Sequence, residues 1–263
     1  MNKSILLGAT GIAVAFGMLA FGYTAGNVQP ARAVEAPQTV ATPAPVDKGE
    51  VEKIVRDYLV ANPEILDEMQ AALDAKRTEQ QRIAQIETIR ANKDEIFNSK
   101  HDAVVGNPNG TITIVEFYDY NCGFCKRALD DMKALTDADP ELRFVLKEFP
   151  ILGPDSQKAH MVASAFQRLM PEKYEEFHQK LLGHEGRAGE ESAMKLALSL
   201  GADEARLRAE LENPEIVENF SRTYDLASKL AITGTPSYVV GNEVVFGALG
   251  RDVLSERIAA ARD

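Results

Sequence analysis

Residues 111–126 read Thr-Ile-Thr-Ile-Val-Glu-Phe-Tyr-Asp-Tyr-Asn-Cys-Gly-Phe-Cys-Lys. The run from 111 to 118 is aromatic, apolar or β-branched except for Glu116, a composition typical of a central strand that is covered on both faces. From Cys122 to about Asp137 the apolar residues take the spacing of an amphipathic helix. The sequence therefore predicts a buried strand followed by a helix, with Cys122 and Cys125 at the start of the helix.

Cys122 and Cys125 are the only cysteines in the 263-residue chain. At a helix N-terminus, free backbone N–H groups and the helix dipole stabilise a thiolate, which is the attacking species in disulfide exchange. Cys122 is therefore predicted as a nucleophile, and Cys125, one turn further, as the thiol that resolves the mixed disulfide. Two other uses stay open. A structural disulfide would close too short a loop to stabilise the chain much, and a structural metal site would need two more ligands.

Strands and helices alternate on the C-terminal side of the cysteines. The predicted elements are, in order, a strand over 142–149, helices from about 156 to 232, strands over 237–240 and 244–246, and a helix over 251–260. This order predicts one α/β domain over residues 104–263, in which the helices at about 155–232 form an insertion.

The charge and the N-terminus restrict the class and the location of the protein. The net charge of −11, from 29 basic and 40 acidic residues, argues against nucleic acid as a partner. Lys3, an apolar run over 5–23 and Ala31-Arg32-Ala33 are typical of a secretory signal over 1–33. The alternative is an uncleaved membrane anchor. Both interpretations place the rest in an exported, periplasm-like compartment, where a cysteine pair can cycle.

A Pro-rich linker over 34–49 leads into a helical arm over 50–103. The arm carries apolar residues at helical spacing on a very polar background, including Val51, Ile54, Val55, Tyr58, Leu59, Ile65, Leu66, Met69 and Leu73. Asn62-Pro63 is expected to restart the helix, with Asn62 as its N-cap. The narrow stripe indicates either a solvated arm or a homo-oligomerisation element over 50–98 that copies of the chain bury.

Residues 115–126, the helical insertion and Gly234-Thr-Pro-Ser-Tyr238 together resemble the DsbA family of thioredoxin-fold thiol–disulfide oxidoreductases. The resemblance covers about residues 104–263 and implies a thioredoxin fold with a helical insertion. It implies an exposed nucleophile at Cys122, a resolving thiol at Cys125, and a cis-proline at Pro236, preceded by Thr235, that faces the pair. The redox-active disulfide is then the only reactive group, and no cofactor is expected.

The resemblance also gives Glu116 a role. In this fold an acid at that position lies beneath the active site, where it can exchange a proton with Cys125. The alternative is an acid at a strand end that reaches solvent. Lys147, in the next strand, is expected to pair with Glu116, because buried charges need partners. The histidines of the helical insertion are expected on its solvated surface: His160, His178 and His184.

Two departures qualify the functional expectation. The residues between the cysteines are Gly123 and Phe124, without the Pro-His of the strongly oxidising type. The arm and Thr235 are similar to those of the oligomeric branch, which includes isomerases, Com-type members and the copper-tolerance-associated ScsC type. We therefore expect an enzyme that forms or isomerises disulfides in cysteine-containing envelope proteins and has a membrane redox partner. The alternatives are a Cu(I)-binding protein that uses Cys122 and Cys125 and a holdase-type binder.

Overall fold

The computed structural model describes residues 47–262. The predicted signal or anchor over 1–33 and nearly all of the predicted linker lie outside the described residues. The chain divides after Asn62 into two compact units, which are described separately. Among the described residues, no helix is long and apolar enough to cross a membrane.

The described part of the first unit is one helix, α1, over Lys48–Ala61. It begins at Asp47, whose carboxylate accepts hydrogen bonds from the next turn, as an N-cap does. It ends at Asn62, whose side-chain amide donates to the carbonyl of Tyr58 (2.8 Å). The prediction that Asn62 is the N-cap of the following helix was wrong, because α2 begins at Ile65 with Glu64 as its N-cap and Asn62 instead ends α1.

The second unit carries the remaining elements. They are α2 (Ile65–Ala91), α3 (Lys93–Phe97), β1 (Ala103–Gly106), β2 (Ile112–Tyr118), α4 (Gly123–Ala138), β3 (Leu142–Glu148), α5 (Pro154–Leu169), a 3-10 turn (Pro171–Lys173), α6 (Tyr174–Leu182), α7 (Glu190–Ser199), α8 (Glu204–Leu211), α9 (Pro214–Lys229), β4 (Ser237–Val240), β5 (Glu243–Phe246) and α10 (Arg251–Ala260). The predicted strands and helices are present near their expected bounds, whereas the four-residue β1 was not predicted.

The five strands form one mixed sheet in the order β1-β3-β2-β4-β5. β2 and β3 are parallel and are connected by α4, while the other neighbours are antiparallel. Helices α5 to α9 are inserted between β3 and β4. This topology is the thioredoxin fold with a helical insertion that the resemblance to the DsbA family implies.

Side chains from the two faces of the sheet enter two separate apolar cores. One face packs against α4, the inserted helices and α10. The other packs against Ile89, Ile96 and the end of α9. The C-terminal end of the predicted arm therefore covers the sheet, because its isoleucines supply the apolar surface that this face needs. The apolar side chains nearer its start remain exposed, as at Leu66, Met69 and Leu73.

Candidate active site

Cys122 is the N-cap of α4, and Cys125 lies one turn into the helix. The backbone N–H of Cys122 donates to the carbonyl of Asp119 (2.9 Å), which closes the turn after β2. Cys122 is 6% exposed and Cys125 is fully buried. The expectation of an exposed nucleophile was thus wrong in degree, because the chain around Thr235 lies against Cys122, with the Thr235 carbonyl oxygen 3.1 Å from the Cys122 sulfur.

The two thiols ionise very differently. A hydrogen bond from the Cys125 thiol, and further ones from the Thr235 side chain and the N–H groups of Cys125 and Phe124, lower the pKa of Cys122 to about 5, against the opposing effect of burial. Burial, the hydrogen bond to Cys122 and the charge of Glu116 raise the pKa of Cys125 far above its ordinary value. At neutral pH Cys122 is therefore a thiolate and Cys125 keeps its proton, which suits a nucleophile and a later resolving thiol.

The segment opposite the cysteines contains a cis peptide bond between Thr235 and Pro236, so the predicted cis-proline is confirmed. Two hydrogen bonds hold this segment: the N–H of Gly247 donates to the carbonyl of Pro236 (2.9 Å), and the hydroxyl of Ser237 donates to the carbonyl of Gly234 (2.8 Å). The Thr235 carbonyl is thereby kept beside the Cys122 sulfur.

Glu116 is buried on the face of the sheet that packs against α4. Burial raises the pKa of Glu116 to about 8, and the hydroxyl of Tyr238 donates to its carboxylate (3.4 Å). The charge of Glu116 in turn raises the pKa of Cys125. The alternative of a solvent-reaching acid was therefore wrong, and Glu116 lies within electrostatic reach of the buried thiol.

Lys147 does not pair with Glu116, and that prediction was wrong. In the sheet Glu116 is in register with Leu146, so Lys147, the next residue, points to the opposite face. There Lys147 forms a buried ion pair with Asp102 and donates to the carbonyl of Glu95. Burial raises the pKa of Asp102 to about 6 despite this lysine.

The histidine predictions were wrong at two of three positions. His160 and His178 are fully buried, whereas His184 is exposed as expected. The helices that carry His160 and His178 pack against neighbours on more than one side. A polar residue in their sequence therefore does not identify the face that is exposed to solvent. Both rings lie in a buried cluster of polar and aromatic side chains at the C-terminal end of β2, the end that leads to Cys122. The cluster consists of Tyr118, Tyr120, Glu148, His160, Tyr174 and His178.

Sequence reasoning missed Asp119, Asn121 and Glu148 as residues near the site. Asp119 and Asn121 are buried or half-buried in the turn before Cys122, where Asp and Asn commonly hydrogen-bond to the local backbone. Glu148 is the single acid of β3, as Glu116 is the single acid of β2. That isolated acid was the available signal.

The capacity of the site for a metal is limited to the cysteine pair. Over residues 47–262, no group of three His, Cys, Asp or Glu side chains is placed to hold a metal ion. Two thiolates are soft ligands that suit Cu(I). Both must lose their protons to bind it, which the raised pKa of Cys125 opposes.

Comparison with known proteins agrees with this geometry. A thioredoxin-like oxidoreductase from Silicibacter pomeroyi is 40% identical, with a TM-score of 0.62 over 65% of this chain and 98% of that one. Proteus mirabilis ScsC in a transitional conformation is 28% identical, with a TM-score of 0.61 over 81% of this chain and 94% of that one. Residues 47–80 match the N-terminal domain of the copper resistance protein ScsC.

The chain spans about a quarter of the length of the curated antiporter relatives that it matches. It covers 24% of a Na+/H+ antiporter of the NhaA type from Salinispora tropica, at 24% identity over 161 residues, which is 61% of this chain. The DSBA-like thioredoxin domain matches residues 113–259, more than half of the chain. The chain belongs to the DsbA-like family of thioredoxin-fold thiol–disulfide oxidoreductases.

Proposed function

We propose that this protein forms or isomerises disulfides in cysteine-containing proteins of the periplasm. The observation that carries the proposal is the opposite ionisation of the two thiols beside the Thr235–Pro236 bond. The exposed Phe124 ring between the cysteines supports it, because an apolar surface beside the nucleophile favours an unfolded polypeptide as the client. The signal predicted over 1–33 supports export.

The exchange follows from the two ionisation states. The Cys122 thiolate attacks one sulfur of a client disulfide, so a Cys122–client disulfide forms and the other client sulfur leaves as a thiolate. Cys125 then transfers its proton to the ionised form of Glu116, which is the minor form at neutral pH because the pKa of Glu116 is raised to about 8, and attacks the Cys122 sulfur. The client is released as a dithiol and the pair becomes a disulfide, a transfer of two electrons from enzyme to client. Run in reverse, the same steps oxidise a client, and a membrane redox partner removes the two electrons.

Self-association through the N-terminal helices is the second part of the proposal. The large apolar side chains of α1 are exposed, and residues 47–80 match a domain of ScsC. An apolar face of this size on a charged helix favours burial against copies of the same helix. Several active sites around one client would suit isomerisation, whereas a single site would suit oxidation.

Two ribonuclease assays on the full chain test the proposal. Reduced ribonuclease measures oxidation and scrambled ribonuclease measures isomerisation. Cys122→Ser is expected to abolish both activities, and Cys125→Ser to accumulate the mixed disulfide, seen by mass spectrometry. In glutathione buffers the pair is expected at about −120 to −200 mV. Full activity of Cys122→Ser would instead support a holdase in which the cysteines are incidental.

Cu(I) binding at the same pair is a second candidate. The match of residues 47–80 to the copper resistance protein ScsC favours it, while the protonated Cys125 opposes it. Anaerobic titration with Cu(I) against a chromogenic chelator separates the two functions. One tightly bound Cu(I) per chain, lost in Cys122→Ser and accompanied by no turnover of ribonuclease, would favour the copper function.

A further inference from the structure

The turn between β2 and Cys122 is held by side chains of the inserted helices. The backbone N–H of Tyr120 donates to Nε2 of His160 (3.2 Å). Nδ1 of His160 is hydrogen-bonded to the carboxylate of Glu148. Because Nε2 accepts a hydrogen bond from a backbone N–H, the ring is neutral and carries its proton on Nδ1, which donates to Glu148.

The position of the imidazole is fixed from several directions. The second carboxylate oxygen of Glu148 accepts from the hydroxyl of Tyr174 (2.9 Å). The ring of His160 lies 5.1 Å from that of Tyr118 and 4.6 Å from that of Tyr120, centre to centre. His160 is fully buried and Glu148 nearly so. A buried acceptor held in this way is costly to leave unpaired, so it holds the Tyr120 amide in one place.

A second residue of α5 holds the preceding position of the same turn. Ser156 lies four residues before His160, so the two side chains project from one face of the helix. The Ser156 hydroxyl donates to the buried carboxylate of Asp119 (2.8 Å). That carboxylate also accepts from the N–H of Asn121 (2.7 Å). The two residues before Asn121 are thus both attached to α5.

We propose that His160 is a positioning residue for Cys122. By holding the Tyr120 amide, it keeps the turn in the conformation that places the Cys122 sulfur at the N-terminus of α4, where its thiolate is stabilised. This inference rests on the proposed exchange function, because it concerns the reactivity of Cys122, the nucleophile of that function. The inserted helices then contribute to the chemistry as well as to the core.

His178 provides a matched control. It is as fully buried as His160 and belongs to the same cluster. Its contact with the turn is to the side-chain hydroxyl of Tyr120 (3.3 Å), not to the backbone. Burial lowers the pKa of His178 to about 3, so this ring is also neutral. Substitution of His178 should disturb packing without releasing the turn.

Two substitutions distinguish the roles of the two ring nitrogens of His160. The amide of glutamine in His160→Gln can take the position of Nε2, whereas that of asparagine in His160→Asn can reach only the position of Nδ1. The readout is the alkylation rate of Cys122 by iodoacetamide as a function of pH, on the reduced full chain, with unfolding by urea measured in parallel. This rate follows the thiolate whether or not the protein catalyses exchange.

We expect His160→Asn to slow alkylation at about pH 4, below the wild-type midpoint, by about two- to tenfold, the worth of one backbone hydrogen bond, and to move the midpoint to higher pH. His160→Gln should stay near the wild type, and His178→Asn should lose stability with an unchanged midpoint. If all three variants keep the wild-type midpoint, His160 is a packing residue and the proposal fails. If the wild type alkylates as expected but exchanges no disulfide, the proposed function fails and the role of His160 is still decided.

A measurement on the wild type covers the case in which a variant does not fold. Nitrogen-15 NMR at pH 7 distinguishes the imidazole tautomers directly. The proposal requires the neutral ring with its proton on Nδ1 and a slowly exchanging Tyr120 amide. A proton on Nε2 of His160 would contradict it, because that nitrogen could then accept no hydrogen bond from Tyr120.

Discussion

The N-terminal helices and the sheet depart from the usual distribution of polarity in opposite ways. Ile54 on α1 is 62% exposed and Leu66 on α2 is 72% exposed. In the sheet, by contrast, the charged residues Glu116, Lys147 and Glu148 are buried. Any folded chain is expected to bury apolar side chains and expose charged ones. Exposed large apolar side chains and buried charged side chains are therefore the exceptions that need an explanation.

The two departures have different physical remedies. The free-energy cost of exposing an apolar face to water is removed when another surface covers it, so such a face indicates a binding partner. A buried charge must find its partner inside the domain. Lys147 has one in Asp102, on the face of the sheet away from the cysteines. Within residues 47–262, Glu116 accepts a hydrogen bond from the hydroxyl of Tyr238, and its charge raises the pKa of Cys125. Burial alone therefore does not mark a residue of the site.

The largest expected effect concerns the exposed apolar face of α1. In Ile54→Asp/Tyr58→Asp, two charges replace apolar side chains of the proposed contact, where they would be desolvated without partners. We expect the oligomer to dissociate completely to monomer, as measured by light scattering coupled to size-exclusion chromatography. The ribonuclease oxidation rate per site should be unchanged, because the active site lies in the second unit.

Val60→Asp is the matched control for this substitution. Val60 is also exposed on α1, but it lies half a turn round the helix from the face that carries Ile54 and Tyr58. This variant should keep the mass of the wild type. A wild type that is already monomeric, or a Val60→Asp chain that dissociates as readily, would mean that the exposed stripe is a solvated face of an arm.

Much of the fold could be predicted from period and composition, and the failures at Lys147 and His160 have a common cause. The strand before Cys122, its helix, the insertion and the cis-proline follow from local patterns or from the family resemblance. The partners of Lys147 and the burial of His160 depend on residues far apart in the chain, here Asp102 and Glu148. No local pattern encodes such pairings. In the site, the two cysteines were predictable, whereas the side chains that hold their turn were not.

The next largest effect is expected for the buried charges on the face of the sheet away from the cysteines. Lys147→Met leaves Asp102 buried without its cation, which should lower the free energy of unfolding by about 3–5 kcal/mol. The double variant Lys147→Met/Asp102→Leu should recover most of this loss, since an apolar pair replaces the ions. Urea unfolding measures both. The alkylation midpoint of Cys122 should stay near the wild-type value, and a clear shift would show that the two faces of the sheet are coupled.

The smallest expected effect concerns Glu116, the buried charge on the side of the cysteines. Burial raises the pKa of Glu116 from 4.5 to about 8, so the folded protein retains a proton that the unfolded chain releases above about pH 4.5. Stability must then fall as the pH rises through this window, by about 2 kcal/mol between pH 6 and 8. Glu116→Gln removes the titration while Asp102 and Cys122 still titrate in both proteins. Urea unfolding of the reduced chains should therefore show the wild type losing about 2 kcal/mol relative to the variant. Parallel pH profiles would mean that burial does not raise the pKa of Glu116.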